Sequence, residues 1–408
     1  MTEVLHAWLE GYHAGTFTRG PSGHVRFDYS ESAPTTPISL SLPRTGGATR
    51  RAAANFLDNL LPDNSAARYQ MASVYGVASV DTFDLLSQAG GDVAGGLVLT
   101  AEEGPPDVGP LLLDPAGDED VAARIAALKR SPDQWVGAAS PARFSLAGTQ
   151  GKFALADIGG EWYWSNATVP STHIVKPARP GLSGLEDVEA MALGLASKVG
   201  AGAPQAQVMR VLDQSAYLVE RFDRVRTGQV AARLHAEDIA QAMGKGPAEK
   251  YDVSAQQVIR LLREQVGTEI AYAFVRQLAV NTFLGNADAH AKNYSLLLRP
   301  DEIVLSPMYD VVPVGLYPQF DQKLAMGIGG ARRAAEVRLP HWRKLARTSG
   351  LVEDRVVELV TSLAHSLQEA VDAVEVGSAV DEIARSRELI GKNIASIAAP
   401  GRSALRHE

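Results

Sequence analysis

At 408 residues the chain is long enough for two or three domains with a sizeable core, and its composition, 46% hydrophobic and 21% charged, is that of an ordinary globular protein. It has no cysteine, which excludes disulfides and thiolate metal sites, and its formal net charge of −8 excludes a chain that grips nucleic acid non-specifically over its whole surface. No run approaches the roughly 18 apolar residues of a membrane span, and Met1 to His6 lacks the basic and apolar stretches of a secretory leader, so a cytoplasmic setting is expected.

In chain order, residues 4 to about 45 alternate apolar and polar in short pieces: Val4, His6 and Trp8, then Val25 to Tyr29, then Ile38, Leu40 and Leu42. Breaks at Gly15, Gly20-Pro21 and Gly46-Gly47 make this a small antiparallel sheet. Helices are expected from Ala52, over Asn64 to Tyr75 and over Ser79 to Gln88, with a strand at Leu97 to Leu99, so residues 1–100 form an α+β module without evident chemistry. Residues 101–135 read as a linker, starting at Gly104-Pro105-Pro106-Asp107, and a short helix, Asp118 to Arg130.

Residues 136–225 read as a strand-containing lobe. Ser145-Leu146-Ala147-Gly148-Thr149-Gln150 is a small-residue loop before a strand at Phe153, suited to bringing backbone N–H groups against phosphates, although it is neither a Walker sequence nor GxGxxG. Two strands later, Ser171 to Pro177 carries Lys176 where a kinase presents the lysine that holds nucleotide phosphates. A lysine there is also an ordinary solvated strand end. Leu185 to Val199 is a helix with acids in its first turns, Glu189 being the candidate ion-pair partner of Lys176, though the helix dipole alone explains those acids. Ala216 to Arg224 is a strand running into a hinge, where Glu220 and Phe222 are expected to meet a nucleotide base through the backbone.

Residues 226–400 read as mainly helical: Ala236 to Met243, Val253 to Gln265, Thr268 to Leu284 and Leu351 to Val374, with a frayed tail from Gly401. The basic run from Arg332 to Arg347 reads as a solvated helix face, with a surface that receives phosphate or an acidic partner as the alternative. After Gly285, a helix stop, come Asn286, Asp288, His290, Lys292 and Asn293, then strands at Tyr294 to Leu298 and Ile303 to Leu305 joined by the turn Arg299 to Glu302. Such a hairpin returns Asp310 beside Asn293.

Taken singly, these polar residues are turn caps and a loop histidine. As a set they meet the needs of phosphoryl transfer. Asp288 takes the proton of an attacking hydroxyl, while Asn293 and Asp310 hold magnesium against ATP phosphates, with His290 and Lys292 beside them facing the nucleotide. Protein kinases space Asp and Asn in the same way, though here Asp310 stands in Tyr-Asp-Val and not in Asp-Phe-Gly. The expected fold is therefore α+β: a bilobal protein-kinase-like fold, with a strand-containing N-lobe and a helix-rich C-lobe, preceded by the extra module.

Six stretches resemble the HipA family of toxin-type serine/threonine kinases: Asn55 to Pro62, Ser145 to Gln150, Thr172 to Lys176, Val219 to Arg224, Asn286 to Asn293 and Met308 to Val311. The resemblance implies Asp288 as base, Asn293 and Asp310 on magnesium, and Lys176 on ATP. It also implies autophosphorylation at Ser145, which would eject the loop from the ATP site. A HipB-like DNA-binding antitoxin is the implied partner, with DNA reached through it, and an aminoacyl-tRNA synthetase, glutamyl or another, is the implied substrate. Gly151, where many members carry a larger residue, suggests a more mobile loop, and Glu237 and Asp238 are expected near the cleft. Two other readings stay open: a non-catalytic kinase-shaped corepressor, and a small-molecule kinase, which would have no need of residues 1–100.

Overall fold

The computed structural model describes residues 3–104, 110–137, 144–179, 181–182, 184–374 and 380–398. Most of the linker expected after Gly104, and the tail from Gly401, lie outside the described residues. The chain forms two compact units. One is Met1–Glu186, Pro204–Lys250 and Ser295–Ser306; the other is Asp187–Ala203, Tyr251–Tyr294 and Pro307–Glu408.

The first unit holds three main sheets. In the N-terminal sheet, Glu3–Leu9 pairs antiparallel with Tyr12–Arg19 and with Val98–Thr100, and Tyr12–Arg19 pairs with Val25–Tyr29. Period-2 alternation puts Leu5, Ala7 and Leu9 on one buried face, against a core that includes Phe17, Phe56, Leu57 and Leu86. Ile38 to Leu42 is not the strand expected from its alternation. It is a turn-rich segment that buries Ile38 and Leu42 while the late strand Val98–Thr100 takes the sheet position. The second sheet has five antiparallel strands in the order Glu161–Trp164, Phe153–Ile158, His173–Lys176, Gln214–Glu220, Ala206–Val211. Val121, Ile125 and Leu128 of the helix Asp118–Arg130 share its core with Phe153, Leu155 and Leu218.

The third sheet corrects a helix expectation. Ala236–Asp238 is a strand on Ser295–Leu298, which pairs in turn with Ile303–Leu305. Ala, Glu and Asp suit a helix locally, but sheet pairing overrides so weak a preference. The helix begins only at Ile239, where Asp238 and Gln241 form a reciprocal capping box. Glu237 is buried, its carboxyl oxygens accepting from the Ser39 hydroxyl and, at 2.9 Å, from the Leu40 N–H. It thus ties the turn-rich segment to the sheet.

A buried ionic network ties the same unit together. Asp92, fully buried, accepts from Arg224 Nη2 at 2.8 Å and the Ser171 N–H at 3.2 Å, with Arg221 Nη1 at 3.9 Å. Asp223 takes Arg221 through two bonds of 2.9 and 2.7 Å and lies 3.1 Å from Arg224. Burial alone would raise the Asp92 carboxyl, but Arg224, Arg221 and Arg233 hold it below its usual range.

The second unit is helical. Thr268–Leu284 is apolar nearly all round, with Ala271, Phe274, Val275, Leu278 and Phe283 buried, as a central helix must be. Around it pack Ala255–Gln265, Glu353–Asp372 and Val380–Ala398. Glu353–Asp372 turns Val356, Val360, Leu363 and Leu367 inward, and Leu339–Ser349 buries Trp342 and Leu345. Val380–Ala398 was not anticipated. Among the described residues, no helix is long and apolar enough to cross a membrane.

Candidate active site

The central helix delivers the polar loop. It stops at Gly285, whose φ of +75° is left-handed and where a Cβ would stand 2.8 Å from the Leu389 side chain. Asn393 of the last helix donates to the carbonyls of Thr282 and Phe283 at 3.4 and 3.2 Å, satisfying acceptors that a helix end leaves open. The chain then turns through Asn286, Asp288 and His290 into a short 3-10 turn, Ala291–Asn293.

The hairpin brings Asp310 back as its spacing predicts: Asn293 Nδ2 donates to Asp310 Oδ2 at 2.8 Å. Asp310 has φ +56°, the left-handed region, which costs an L-residue about 1–2 kcal/mol and which Asp tolerates better than most. Asn286 supports this conformation, donating from Nδ2 to the Asp310 carbonyl at 3.3 Å and to Asn281 Oδ1 at 2.9 Å. Asn281 in turn donates to the Tyr294 hydroxyl at 3.1 Å, and Asn293 Oδ1 accepts the His290 N–H at 3.1 Å. The pair is held by a chain of amides anchored in the central helix.

A carboxylate and a neighbouring side-chain amide supply hard oxygen donors; here the amide turns Nδ2 to Asp310 and Oδ1 to the His290 N–H, so Asp310 offers the nearer oxygens. Among the described residues no group of three or more His, Asp or Glu could hold a metal by itself. Magnesium requires no such cage, since it keeps water and substrate phosphate oxygens as ligands, so the residues present fit that ion.

Asp288 is exposed, and Oδ1 accepts the Tyr251 hydroxyl at 2.8 Å. The Tyr251 ring meets His290 edge-on, centroids 5.1 Å apart and planes at 83°. His290 and Lys292 are buried, and the Lys292 carbonyl accepts the Tyr309 hydroxyl at 2.7 Å. Tyr251, Asn281 and Asn393 were missed from sequence. The capping pattern Ser254 to Gln257 marked the helix start beside Tyr251, but nothing local pointed at Asp288.

The remaining expected site residues belong to the other unit, as does Ser145. Lys176 ends its strand buried, its Nζ 5.4 Å from the Tyr217 ring centroid. Glu220 ends the neighbouring strand, with His173 Nε2 4.0 Å from its carboxylate, and Phe222 is half-buried. The loop is docked on the N-terminal module: Ser145 N–H donates to the Asp92 carbonyl at 3.0 Å, Ser145 Oγ to the Leu60 carbonyl at 2.7 Å, and Asp63 N–H to the Gly148 carbonyl at 3.0 Å. Lys152 Nζ closes the turn on the Ala147 carbonyl at 2.8 Å, Thr149 accepts from Arg179 at 3.2 Å, and Gln150 donates to the Pro177 carbonyl at 3.1 Å.

One expectation changes here, and two others gain detail. Gly151 does not loosen the loop: it is buried, and a Cβ there would stand 2.5 Å from the Pro132 carbonyl oxygen, so the glycine serves close packing. In Val219 to Arg224, the side chains of Arg221, Asp223 and Arg224 serve the buried network. Glu237 is committed to Ser39 and Leu40, and Asp238 to its helix cap.

Residues 5–100 match the HipA N-terminal domain family and residues 144–371 the HipA-like C-terminal domain family. The chain is 31% identical to the putative kinase Y4mE of Sinorhizobium fredii, over 96% of this chain and 99% of that one. It is 32% identical to the serine/threonine-protein kinase toxin HipA of Shewanella oneidensis, over 75% and 72%. In fold it superposes on a chain of the Shewanella oneidensis HipA, HipB and operator DNA complex with a TM-score of 0.82, at 24% identity and 97% coverage of both chains. The α+β kinase-like fold is therefore that of HipA. The chain belongs to the HipA family of serine/threonine-protein kinase toxins.

Proposed function

We propose that this chain transfers the γ-phosphoryl group of ATP, with magnesium, to a serine or threonine hydroxyl of a protein, and that it is the toxin of a toxin–antitoxin pair in the cytoplasm. The observation that carries this reading is the Asn293–Asp310 hydrogen bond, with Asp310 in a left-handed conformation that costs stability and is sustained by a dedicated amide chain. Asp288 takes the acceptor's proton as its oxygen bonds to the γ-phosphorus and the bond to ADP breaks. Asn293 and Asp310 hold magnesium, which when bound neutralises phosphate charge. Lys176 contacts the phosphates, and Ala147 to Gln150 present backbone N–H groups to them. Glu220 and Phe222 border the base, and His290 and Lys292 line the nucleotide beside Asp288.

In this reading Ser145 is the autophosphorylation site. Its hydroxyl now donates to a carbonyl in a buried setting, so a phosphate dianion there is incompatible with the docked loop. The N-terminal module spans 1–100, the linker and helix 101–135, the N-lobe 136–225 and the C-lobe 226–400. The partner is a HipB-like DNA-binding antitoxin, through which the kinase reaches DNA, and the substrate is an aminoacyl-tRNA synthetase, glutamyl or another. The test is incubation of the purified chain and its Asp288→Asn variant with labelled ATP, magnesium and a cytosolic extract, followed by mass spectrometry. Phosphate on one extract protein and on Ser145, with the native chain alone, is the expected result. Nucleotide binding without transfer to anything would sink the kinase reading.

A further inference from the structure

Asp288 is exposed, so burial does not set the orientation of its carboxylate and hydrogen bonds must. The base of a phosphoryl transfer has to meet the acceptor hydroxyl at a defined angle, and a small misplacement is costly in rate. The structure supplies a phenol at this point: Tyr251 Oη donates to Asp288 Oδ1 at 2.8 Å. That tyrosine is itself fixed on two sides. Its ring packs edge-on against His290, and its backbone enters the helix Ala255–Gln265 through buried Val253 and the reciprocal capping box of Ser254 and Gln257. A tyrosine that is 52% exposed gains little from burial, so its hydroxyl geometry is not a by-product of packing.

We infer that Tyr251 is a positioning residue of the kinase reaction, pinning the Asp288 carboxylate through Oδ1 so that the group presents its remaining acceptor capacity to the substrate hydroxyl. A carboxylate has about four lone-pair sites and one phenol occupies one of them, so the base is oriented without being consumed. The phenol keeps its proton throughout; the proton that moves is the acceptor's. The inference rests on Asp288 acting as the base.

The test compares the native full-length chain with Tyr251→Phe, which keeps the ring on His290 and deletes the hydroxyl, and with Tyr251→Ala. Initial rates of phosphate transfer from labelled ATP with magnesium are read on dephosphorylated casein and on the chain itself, across ATP concentrations. Binding of a fluorescent ATP analogue is measured separately. Tyr251→Phe is expected to lower the maximal rate about tenfold, the usual scale for removing an orienting partner, with KM for ATP and analogue affinity unchanged; Tyr251→Ala should fall at least as far. A native rate in Tyr251→Phe overturns the inference, as does a loss expressed only in KM for ATP. A faster Tyr251→Phe overturns it too, because the phenol would then be blocking the acceptor. If the native chain binds the analogue but transfers nothing to either acceptor, the kinase reading itself fails, and the native lane reads that separately.

Discussion

Replacing Asp92 by Asn keeps the shape of the side chain and removes one of two carboxylates from a site holding two arginines. Native Asp92 and Asp223 balance Arg221 and Arg224; the variant leaves one uncompensated positive charge where all four side chains are buried. Breaking a buried ion pair from one side costs about 3–5 kcal/mol. The lower end applies here, since Asn can still accept from Arg224 and Asp223 continues to hold Arg221 through two bonds. A loss of about 3 kcal/mol is roughly two decades in the folding equilibrium and a large share of a usual stability of about 5–15 kcal/mol. Four of the five tryptophans, Trp8, Trp135, Trp162 and Trp164, lie in the unit that contains the network, so urea titration by tryptophan fluorescence reports it directly. With a slope of about 2–3 kcal/mol per molar, the midpoint should fall by about 1 M. Adding Arg224→Met to remove the surplus charge should restore more than half of the loss. A single variant that melts within about 0.2 M of the native chain would refute the argument that the arginines depend on Asp92.

Other outcomes follow from the same structure. Burial drives the Glu237 carboxyl up to about 8, against the pull of Ser39 and Leu40, so the folded state keeps a proton that the unfolded chain releases near 4.5. Its contribution is complete below that pH and lost as pH rises toward 8; Glu237→Gln should flatten urea stability across that window. Burial lowers the His235 imidazole to about 4, with Nε2–H donating to the Ile38 carbonyl at 2.8 Å and Nδ1 accepting the Gly96 N–H at 3.3 Å. The unfolded histidine charges below about 6.5, so this contribution is present above that pH and fades as pH falls toward 4; urea midpoints that hold steady from pH 6.5 to 4.5 would contradict it. Gly151→Ala forces a Cβ against the Pro132 backbone and should cost about 1–3 kcal/mol, read as a lower thermal midpoint. Ser145→Asp places a carboxylate against the Leu60 carbonyl and should expose residues 145–150 to limited proteolysis, whereas Ser145→Ala should cost only about 1 kcal/mol and leave them protected.

What could be read from the sequence was local. Thr268–Leu284 is found between the ends expected from its apolar spacing and from Gly285, and Ile303–Leu305 spans the strand expected after its turn. Asp288, Asn293 and Asp310 stood out because five residues and one hairpin separate them. What escaped depends on distant partners. Arg221 and Arg224 looked like hinge residues because their counter-charge, Asp92, lies about 130 positions away in another module. Ala236–Asp238 looked helical because its pairing strand is about 60 residues further on. The left-handed backbone of Asp310 has no signature in a Tyr-Asp-Val triplet, and Asn281, which anchors the Asn286 amide that sustains it, comes from a helix that reads as uniform core.

The cap that Asn393 places on the central helix bears on the moment of synthesis. The loop after Gly285 is synthesised about a hundred residues before Asn393 and Leu389, the groups that close over its base. At about 5–20 residues per second, the growing chain carries that loop without its cover for some 5–20 s. The end of the central helix, and with it the start of the polar loop, is therefore the last part of this helical unit to be closed, and its open carbonyls at Thr282 and Phe283 wait on water until Asn393 is made.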